Sequence, residues 1–240
     1  MNGIGDINND GLEDFAFGAS WATSPGSPRD AQEGIVFILW GTAMITSPAT
    51  SLLPKIDLGF VIYGSVSYQH FGSTVSGGCD LNNDGIDDFI IGCQSNAAVS
   101  AVVFVVFGHP QDFWHKLDEG AGFFWSLRLK DSFLGFTIKT GTVFSSDWSP
   151  NIDSITPRCV GDYNGDGFND ILFGDIHAYS KSGRAVLVYG RAFWPEIIDI
   201  STTSPSSFGG IVFVTQRPAN LIDIGQPVAS LDLNLDGYID

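Results

Sequence analysis

Basic residues are scarce in this 240-residue chain: Lys and Arg number 11 against 27 Asp and Glu, so the formal net charge is -16. A nucleic-acid-binding surface needs clustered positive charge, and no basic run occurs anywhere in the sequence, so nucleic acid is not the expected partner. Cys/His clusters and phosphate-cradling glycine loops are also missing. The sequence therefore offers no zinc-binding or nucleotide-binding motif.

Long apolar runs are absent as well. A membrane-spanning helix needs about twenty consecutive apolar residues, and no such stretch is found. Hydrophobic residues still make up 44% of the chain, which is enough for the core of one large all-β domain. Cysteine is rare, and Cys79, Cys93 and Cys159 cannot all pair with one another. The predicted hairpin places Cys79 opposite Phe89 rather than Cys93, so we expect the cysteines to act as small buried hydrophobes.

What the sequence does contain is a nine-residue acidic loop that occurs four times. The copy from Asp80 to Asp88 has side-chain oxygens at positions one, three, five and nine, and Gly85 at position six permits a sharp turn with positive φ. This turn would direct the backbone carbonyl of position seven towards the same bound cation as the side-chain oxygens. An all-oxygen set with three negative charges suits Ca²⁺ better than Mg²⁺, which prefers a strict octahedron, whereas zinc or copper would want imidazole or thiolate.

We therefore predict four calcium sites, each with three carboxylates, one amide and one backbone carbonyl as donors. The predicted ligands are Asp6, Asn8, Asp10, Leu12 and Asp14; Asp80, Asn82, Asp84, Ile86 and Asp88; Asp162, Asn164, Asp166, Phe168 and Asp170; and Asp232, Asn234, Asp236, Tyr238 and Asp240.

Two other interpretations of these loops are weaker. A lone motif of this kind could be a solvated turn, since Asn, Asp and Gly are turn formers, but four copies without a substituted ligand argue against that. An EF-hand would place a bidentate Glu at position twelve, where Phe17, Ile91 and Phe173 are found instead. Each loop is followed by a short β-branched or aromatic run ending in Gly, so the loops are predicted to be β-hairpin turns rather than helix–loop–helix or dockerin units.

The four loops recur at nearly regular spacing, which indicates a repeat architecture. We predict repeats over residues 1–79, 80–161 and 162–231, with the start of a further one at 232–240, and an insertion at 142–158. Strongly apolar runs such as 102–107 are expected to be inner strands packed between neighbouring sheets. Each period holds about four predicted strands, which lie at 15–19, 34–40, 59–63 and 71–77; at 89–93, 101–107, 122–129 and 134–140; and at 171–174, 184–189, 210–215 and 225–231.

These residues resemble a known family, the FG-GAP repeats of integrin α subunits. Phe71-Gly72, the Asp80 loop and Phe89-Ile-Ile-Gly92 follow the pattern of one repeat, and the resemblance covers essentially the whole chain. The Phe-Gly pair is shifted at Leu134-Gly135-Phe136 and becomes Ile224-Gly225. The resemblance implies an all-β β-propeller with calcium in the hairpin loops of one face and ligands bound at the other face.

About three four-stranded blades are present, fewer than the four that a propeller needs to close. We therefore expect either that the chain is a piece of a longer one or that copies self-associate to complete the ring.

Lone histidines on separate segments, without a catalytic motif, predict that this is not an enzyme. Among neighbouring acids, Asp87 is expected to face water while Asp88 binds the metal.

The leading functional hypothesis is a calcium-stabilised module that binds a protein or glycan ligand in cell adhesion or cell-surface recognition, in an extracellular setting. An accessory propeller of a secreted, phospholipase D-like hydrolase and a purely structural scaffold are the alternatives. Because a strand that leaves a metal loop ends at the opposite face, ligand-binding residues are expected in the connections at 20–33, 94–100 and 175–183. The candidates are Trp21, Arg29, His177, Tyr179 and Lys181.

Overall fold

The computed structural model describes residues 2–41, 59–93, 102–118, 125–126, 134–141, 155–175, 183–201 and 205–214. In these residues, strands dominate and no helix is long and apolar enough to cross a membrane. The elements, in chain order, are β1 (Asn2–Gly5), β2 (Asp14–Ala19), β3 (Ile35–Leu39), β4 (Gly59–Tyr63), β5 (Thr74–Cys79), β6 (Asp88–Gly92), β7 (Val102–Val106), α1 (Gln111–Asp118), β8 (Trp125–Ser126), β9 (Gly135–Lys139), β10 (Arg158–Cys159), β11 (Ile171–Asp175), β12 (Arg184–Val188), β13 (Ile197–Asp199), α2 (Pro205–Phe208) and β14 (Gly210–Val214).

The strands form three sheets that share one antiparallel plan. The first has the order β1-β2-β3-β4, the second β5-β6-β7-β9 and the third β10-β11-β12-β14. In every sheet the acidic loop is the turn between the first two strands, so the prediction that these loops are hairpin turns is confirmed. A fifth strand lies parallel at the outer edge of two sheets, β8 beside β4 and β13 beside β9, and these additions were not predicted. The all-β prediction is confirmed.

Two apolar cores lie between the three sheets. The core between the first and second sheets contains Ile38, Phe89 and Val106, and the core between the second and third contains Val105 and Phe173. Strand β7 thus contributes to both cores, because its alternate side chains point to opposite faces of the middle sheet. The prediction that residues 102–107 form an inner strand packed on both faces is confirmed.

The sheets are offset from the predicted periods by one strand. Strand β5 ends at the Asp80 loop, which joins it to β6, so β5 belongs to the second sheet although it precedes that loop.

The interpretation of Leu134-Gly135-Phe136 as a shifted Phe-Gly pair is wrong. Gly135 pairs with Val106 as Gly59 pairs with Leu39, which makes β9 the counterpart of β4.

The strand predicted at 122–129 is also corrected. Within that range the structure describes the two residues of β8, which pair with β4 of the first sheet, whereas the prediction made 122–129 the third strand of the second repeat. The strand predicted at 225–231 and the fourth acidic loop lie outside the described residues.

A disulfide connects the second sheet to the third. Cys79 at the end of β5 is bonded to Cys159 in β10, with their Cα atoms 6.1 Å apart. The expectation that these two cysteines are unpaired hydrophobes is therefore wrong, because pairing was judged within one hairpin while the bond joins two. Cys93 is free and buried, as expected.

Replacing both bonded cysteines with alanine is expected to lower the free energy of unfolding by about 4.5 kcal/mol, the chain-entropy value for the 80-residue separation that the bond closes. Chemical denaturation of the wild type and the C79A/C159A variant, with and without reductant, measures this difference. Reductant should lower the stability of the wild type to that of the variant and leave the variant unchanged. Equal sensitivity of both proteins to reductant would contradict the assignment.

Candidate metal centre

The three described acidic loops have the same backbone conformation. Positions four and six lie in the left-handed region in every copy, which costs an ordinary side chain roughly 1–2 kcal/mol and favours Asn or Gly. The positive φ at position six was predicted from its glycine, whereas the positive φ at position four was not predicted. The φ values are 58° and 87° at Asn9 and Gly11, 59° and 88° at Asn83 and Gly85, and 76° and 92° at Gly165 and Gly167.

Side-chain oxygens fold inwards over the backbone of each loop. In the second loop, one carboxylate oxygen of Asp80 accepts the N–H of Asp84 at 3.0 Å and the other accepts that of Gly85 at 2.7 Å. Asn82 Oδ1 accepts the same Asp84 N–H, and Asp84 Oδ1 accepts the N–H of Ile86 at 2.9 Å. Equivalent bonds recur in the other two loops. The oxygens of positions one, three and five are therefore held together on one concave side.

The aspartate at position nine is different, because it is buried and fixes the loop to its sheet. Asp88 has no exposed surface; its Oδ2 accepts the N–H of Leu81 at 2.7 Å and its Oδ1 accepts that of Gly108 at 2.8 Å. The second bond ties the loop to the residue pair that follows β7. The matching bonds join Asp14 to Ile7 and Gly41, and Asp170 to Tyr163 and Gly190.

The glycine that donates to position nine is required by a close backbone approach. A Cβ atom added at Gly108 would lie 2.2 Å from the carbonyl oxygen of Asp87, at position eight of the loop. Sequence reasoning missed this contact, although the aromatic–Gly pair after the third strand of each sheet was a visible signal. The same clash arises between Gly41 and Glu13 at 2.6 Å and between Gly190 and Asn169 at 2.3 Å.

The carboxylates of each loop lie close enough to affect one another. Burial raises the pKa of Asp14 to about 6; backbone N–H groups of Gly41 and Ile7 oppose this, while the charges of Asp10 and Asp6 add to it. Burial also raises the pKa of Asp88 and of Asp170; their backbone hydrogen bonds oppose the shift, and the charges of the neighbouring loop aspartates add to it. The loops thus concentrate negative charge that a cation would relieve.

The donor chemistry of the loops is suited to a hard cation. Acidic, His and Cys side chains alone form no group of three or more that could hold a metal in the described part of the chain. The predicted set, however, also uses the amide of position three and the carbonyl of position seven, and oxygen-only donors of this kind are what Ca²⁺ takes. The residues fit calcium by chemistry, and its binding stays a prediction for the three described loops and for the fourth.

The first and second loops are each bonded to the following sheet. Asp87 Oδ2 accepts the N–H of Asp6 at 2.9 Å, and the indole of Trp114 in α1 donates to the Ile7 carbonyl at 3.2 Å. The expectation that Asp87 faces water is therefore wrong. One sheet further on, Asn169 donates to the Asp80 carbonyl at 3.0 Å and the Trp194 indole donates to the Leu81 carbonyl at 3.2 Å.

Of the predicted ligand-binding residues, Trp21 and Arg29 lie in the described part of the chain, whereas His177, Tyr179 and Lys181 lie outside it. The connection at 20–33 follows β2 and lies at the sheet edge opposite the Asp6 loop, as predicted. Trp21 is 48% exposed and its ring centroid is 4.4 Å from that of His70.

The connection at 64–73 lies beside it and was not predicted to belong to this surface. Its Tyr68 is 49% exposed, and its N–H donates to the Ala31 carbonyl at 2.7 Å. Four residues other than glycine have positive φ in these two connections, a strain that is common at binding sites. They are Asp30, Gln32, Tyr68 and His70.

Three adjacent antiparallel sheets with an oxygen-rich acidic loop at the same turn are typical of a β-propeller repeat protein. No family model matches the chain. It is similar to integrin alpha-M of Mus musculus (34% identity over 93 residues, 39% of this chain and 7% of the relative) and to integrin alpha-4 of Xenopus laevis (28% over 203 residues, 84% of this chain and 16% of the relative). Integrin alpha-E of Mus musculus is 29% identical over 157 residues, 58% of this chain and 13% of the relative.

The similarity to several integrin α subunits is consistent with an FG-GAP, integrin α-like protein, and it implies that the antiparallel sheets are blades of a β-propeller. The aligned segments span at most 16% of the three relatives named above, so they correspond to a small part of those proteins.

The two kinds of aspartate in a loop should respond differently to substitution. Asp88→Asn leaves one buried N–H, of Leu81 or Gly108, without an acceptor, which costs about 1–3 kcal/mol whether or not calcium is present. Asp84 is exposed, and Asp84→Asn retains an oxygen that can accept the Ile86 N–H. This variant should therefore be less stable than the wild type in calcium but equally stable in chelator. Thermal unfolding of both variants under the two conditions checks this, and equal behaviour of the two variants would contradict the division of roles.

Proposed function

We propose that this chain is a calcium-binding, integrin α-like propeller module that binds a protein or glycan ligand in cell adhesion or cell-surface recognition. The observation that carries the metal part is the threefold recurrence of one loop conformation with one pattern of inward-facing oxygens. A merely polar turn has no need to keep the same oxygen donors at five positions in every copy. Calcium would supply the positive charge that each set of three carboxylates lacks.

The proposed role of calcium is structural. Position nine connects each loop to its own sheet, and the neighbouring Trp or position-eight contact connects it to the next. An ion held by positions one, three, five, seven and nine would therefore stabilise packing within and between blades. Because a loop with several carboxylates leaves a bound cation little Lewis acidity, hydrolysis at these sites is not proposed, and the expectation that the chain is not an enzyme stays a prediction.

The proposed ligand surface is the face opposite the loops. Exposed Trp21 and Tyr68 lie on two neighbouring connections there, and Arg29 is on the same connection as Trp21. A hydrogen bond from the Tyr68 N–H to the Ala31 carbonyl joins the two connections. Aromatic side chains and Arg are the usual anchors of protein interfaces, and the rigid aromatic rings lose little conformational entropy on binding. The similarity to integrin α subunits favours adhesion over the hydrolase-accessory alternative.

An extracellular location is supported by the disulfide as well as by the similarity. The bond between Cys79 and Cys159 joins two blades, and structural disulfides form and persist in oxidising compartments. The ring is proposed to be completed by further blades of a longer chain or by self-association, since the outer face of the third sheet exposes Phe213.

Calcium should raise the midpoint of thermal unfolding through mass action on the folded state, while magnesium should raise it less. The apparent affinity for calcium should fall as the pH drops through about 6, because Asp14 becomes protonated there and a protonated carboxyl is a poor ligand. Differential scanning fluorimetry with chelator, calcium and magnesium at several pH values measures both effects. An unchanged midpoint between chelator and millimolar calcium would refute the metal proposal.

Ligand binding should depend on the aromatic pair of the opposite face. The double variant Trp21→Ala/Tyr68→Ala should lose at least about tenfold in affinity, as expected for paired interface anchors, with little change in stability. Purified protein at saturating calcium would be applied to immobilised extracellular matrix proteins and to a glycan array. Phe193→Ala is the matched control, since Phe193 is 90% exposed and follows Tyr189 and Gly190 on the metal side. Loss of binding in the control but not in the double variant would show that the faces are misassigned.

A further inference from the structure

Asp87, at position eight of the second loop, lies between the first two acidic loops. Its Oδ2 accepts the N–H of Asp6, which is position one of the first loop, at 2.9 Å. Gly5 makes room for this contact, because a Cβ atom added there would overlap the Asp87 carboxylate. In the sequence Asp87 directly precedes Asp88, the position-nine aspartate of the second loop. A carboxylate outside both predicted ligand sets is therefore part of one proposed calcium site and bonded to the other.

The charge of Asp87 acts on both loops. Burial raises the pKa of Asp87; the N–H of Asp6 opposes this rise, while the charges of Asp6, Asp80 and Glu13 add to it. Asp6 and Asp80 are the position-one aspartates of the first and second loops, so the Asp87 carboxylate is repelled by a predicted ligand of each loop. A cation held in either loop would be attracted by the same carboxylate.

Backbone groups also fix the spacing of the two loops. The consecutive N–H groups of Gly108 and His109, after β7, bond to different loops: the first donates to Asp88 Oδ1 at 2.8 Å and the second to the Ile7 carbonyl at 3.0 Å. The Ile7 N–H in turn donates to Asp14 Oδ2 at 3.0 Å. The position-nine aspartates of the two loops are thus linked through backbone, so the loops do not depend on the position-eight side chain alone to keep their spacing.

The next pair of loops makes a similar connection without a charge. Asn169 is at position eight of the third loop, and its amide donates to the Asp80 carbonyl at 3.0 Å. Both position-eight side chains therefore bond to position one of the preceding loop, but one is a carboxylate and the other a neutral amide. An Asn oxygen could also accept the N–H that Asp87 accepts. The hydrogen bond alone therefore does not account for a negative charge at Asp87.

We infer that Asp87 is a shared counter-charge that is not itself a ligand and that raises the calcium affinity of the first and second loops together. The inference rests on the proposed calcium binding and adds to it a residue outside either ligand set. Its distinctive consequence crosses from one loop to the other, because a change in the second loop should weaken calcium binding in the first. A purely structural Asp87 would not have this effect in a variant that keeps the hydrogen bond.

The position-six glycines provide a separate readout for each loop. The N–H groups of Gly11, Gly85 and Gly167 donate to the position-one aspartates of their own loops at 2.8, 2.7 and 2.7 Å. The chemical shift of each N–H should therefore change when calcium binds to that loop. Heteronuclear NMR of the purified protein at neutral pH, titrated with buffered free calcium, gives an apparent affinity for each loop.

Asp87→Asn removes the charge and keeps an oxygen that can accept the Asp6 N–H. The apparent calcium affinity should fall by about threefold to tenfold in the first loop and in the second, as expected for the loss of one unit charge near a divalent cation under screening by salt. The affinity of the third loop should not change. In chelator the variant should be at least as stable as the wild type, because fewer like charges repel one another.

Glu196→Gln is the control of equal charge change, because Glu196 is an exposed acid between Trp194 and β13. It should leave all three affinities unchanged. An unchanged affinity of the first loop in Asp87→Asn would overturn the inference, and so would an equal fall in Glu196→Gln, which would reflect net charge alone.

Two further outcomes would also decide against the inference. A marked loss of stability of Asp87→Asn in chelator, with all affinities unchanged, would identify Asp87 as a structural residue. If no position-six glycine of the wild type responds to calcium, the proposed calcium binding fails and the inference fails with it. Calcium binding that is retained in full by Asp87→Asn would overturn the inference alone.

Discussion

The structure depends on a buried carboxylate that accepts two backbone N–H groups. In each sheet the aspartate at position nine bonds to position two of its own loop and to a glycine after the third strand. The glycine is needed because the loop backbone lies against it. This contact sets the depth of the hairpin turn relative to the sheet, so the outer carboxylates of the loop are positioned from a rigid base. The geometry of the acidic loop and the geometry of its sheet thus depend on the same interaction.

The same turn also connects neighbouring blades. Position-eight side chains and a buried tryptophan from the next blade bond to the backbone at positions one and two, and the disulfide joins the same inner strands. At the other end of the sheets the connections are longer and contain strained residues and exposed aromatic side chains. The loop end of the sheets is therefore joined by hydrogen bonds and a disulfide, whereas the opposite end carries the exposed connections.

Much of the fold could be predicted because it is specified by local patterns. The acidic loops predicted hairpins, and apolar runs such as 102–107 predicted inner strands packed on both faces. The assignment of β8 to the first sheet could not be predicted, since a two-residue strand has no periodicity. Asp87 was misjudged because its partner is the N–H of Asp6, 81 residues away in sequence.

By itself the sequence determined the loop chemistry, the all-β repeat and the resemblance to integrin α subunits, because ligand spacing, turn residues and strand alternation are properties of short segments. The tertiary structure alone decided which strands share a sheet, that Cys79 pairs with Cys159, and that the position-nine aspartates are buried anchors. It also decided that Asp87 lies between the first two acidic loops. These features depend on contacts between residues distant in sequence, and no local pattern carries information on which distant partner will be adjacent.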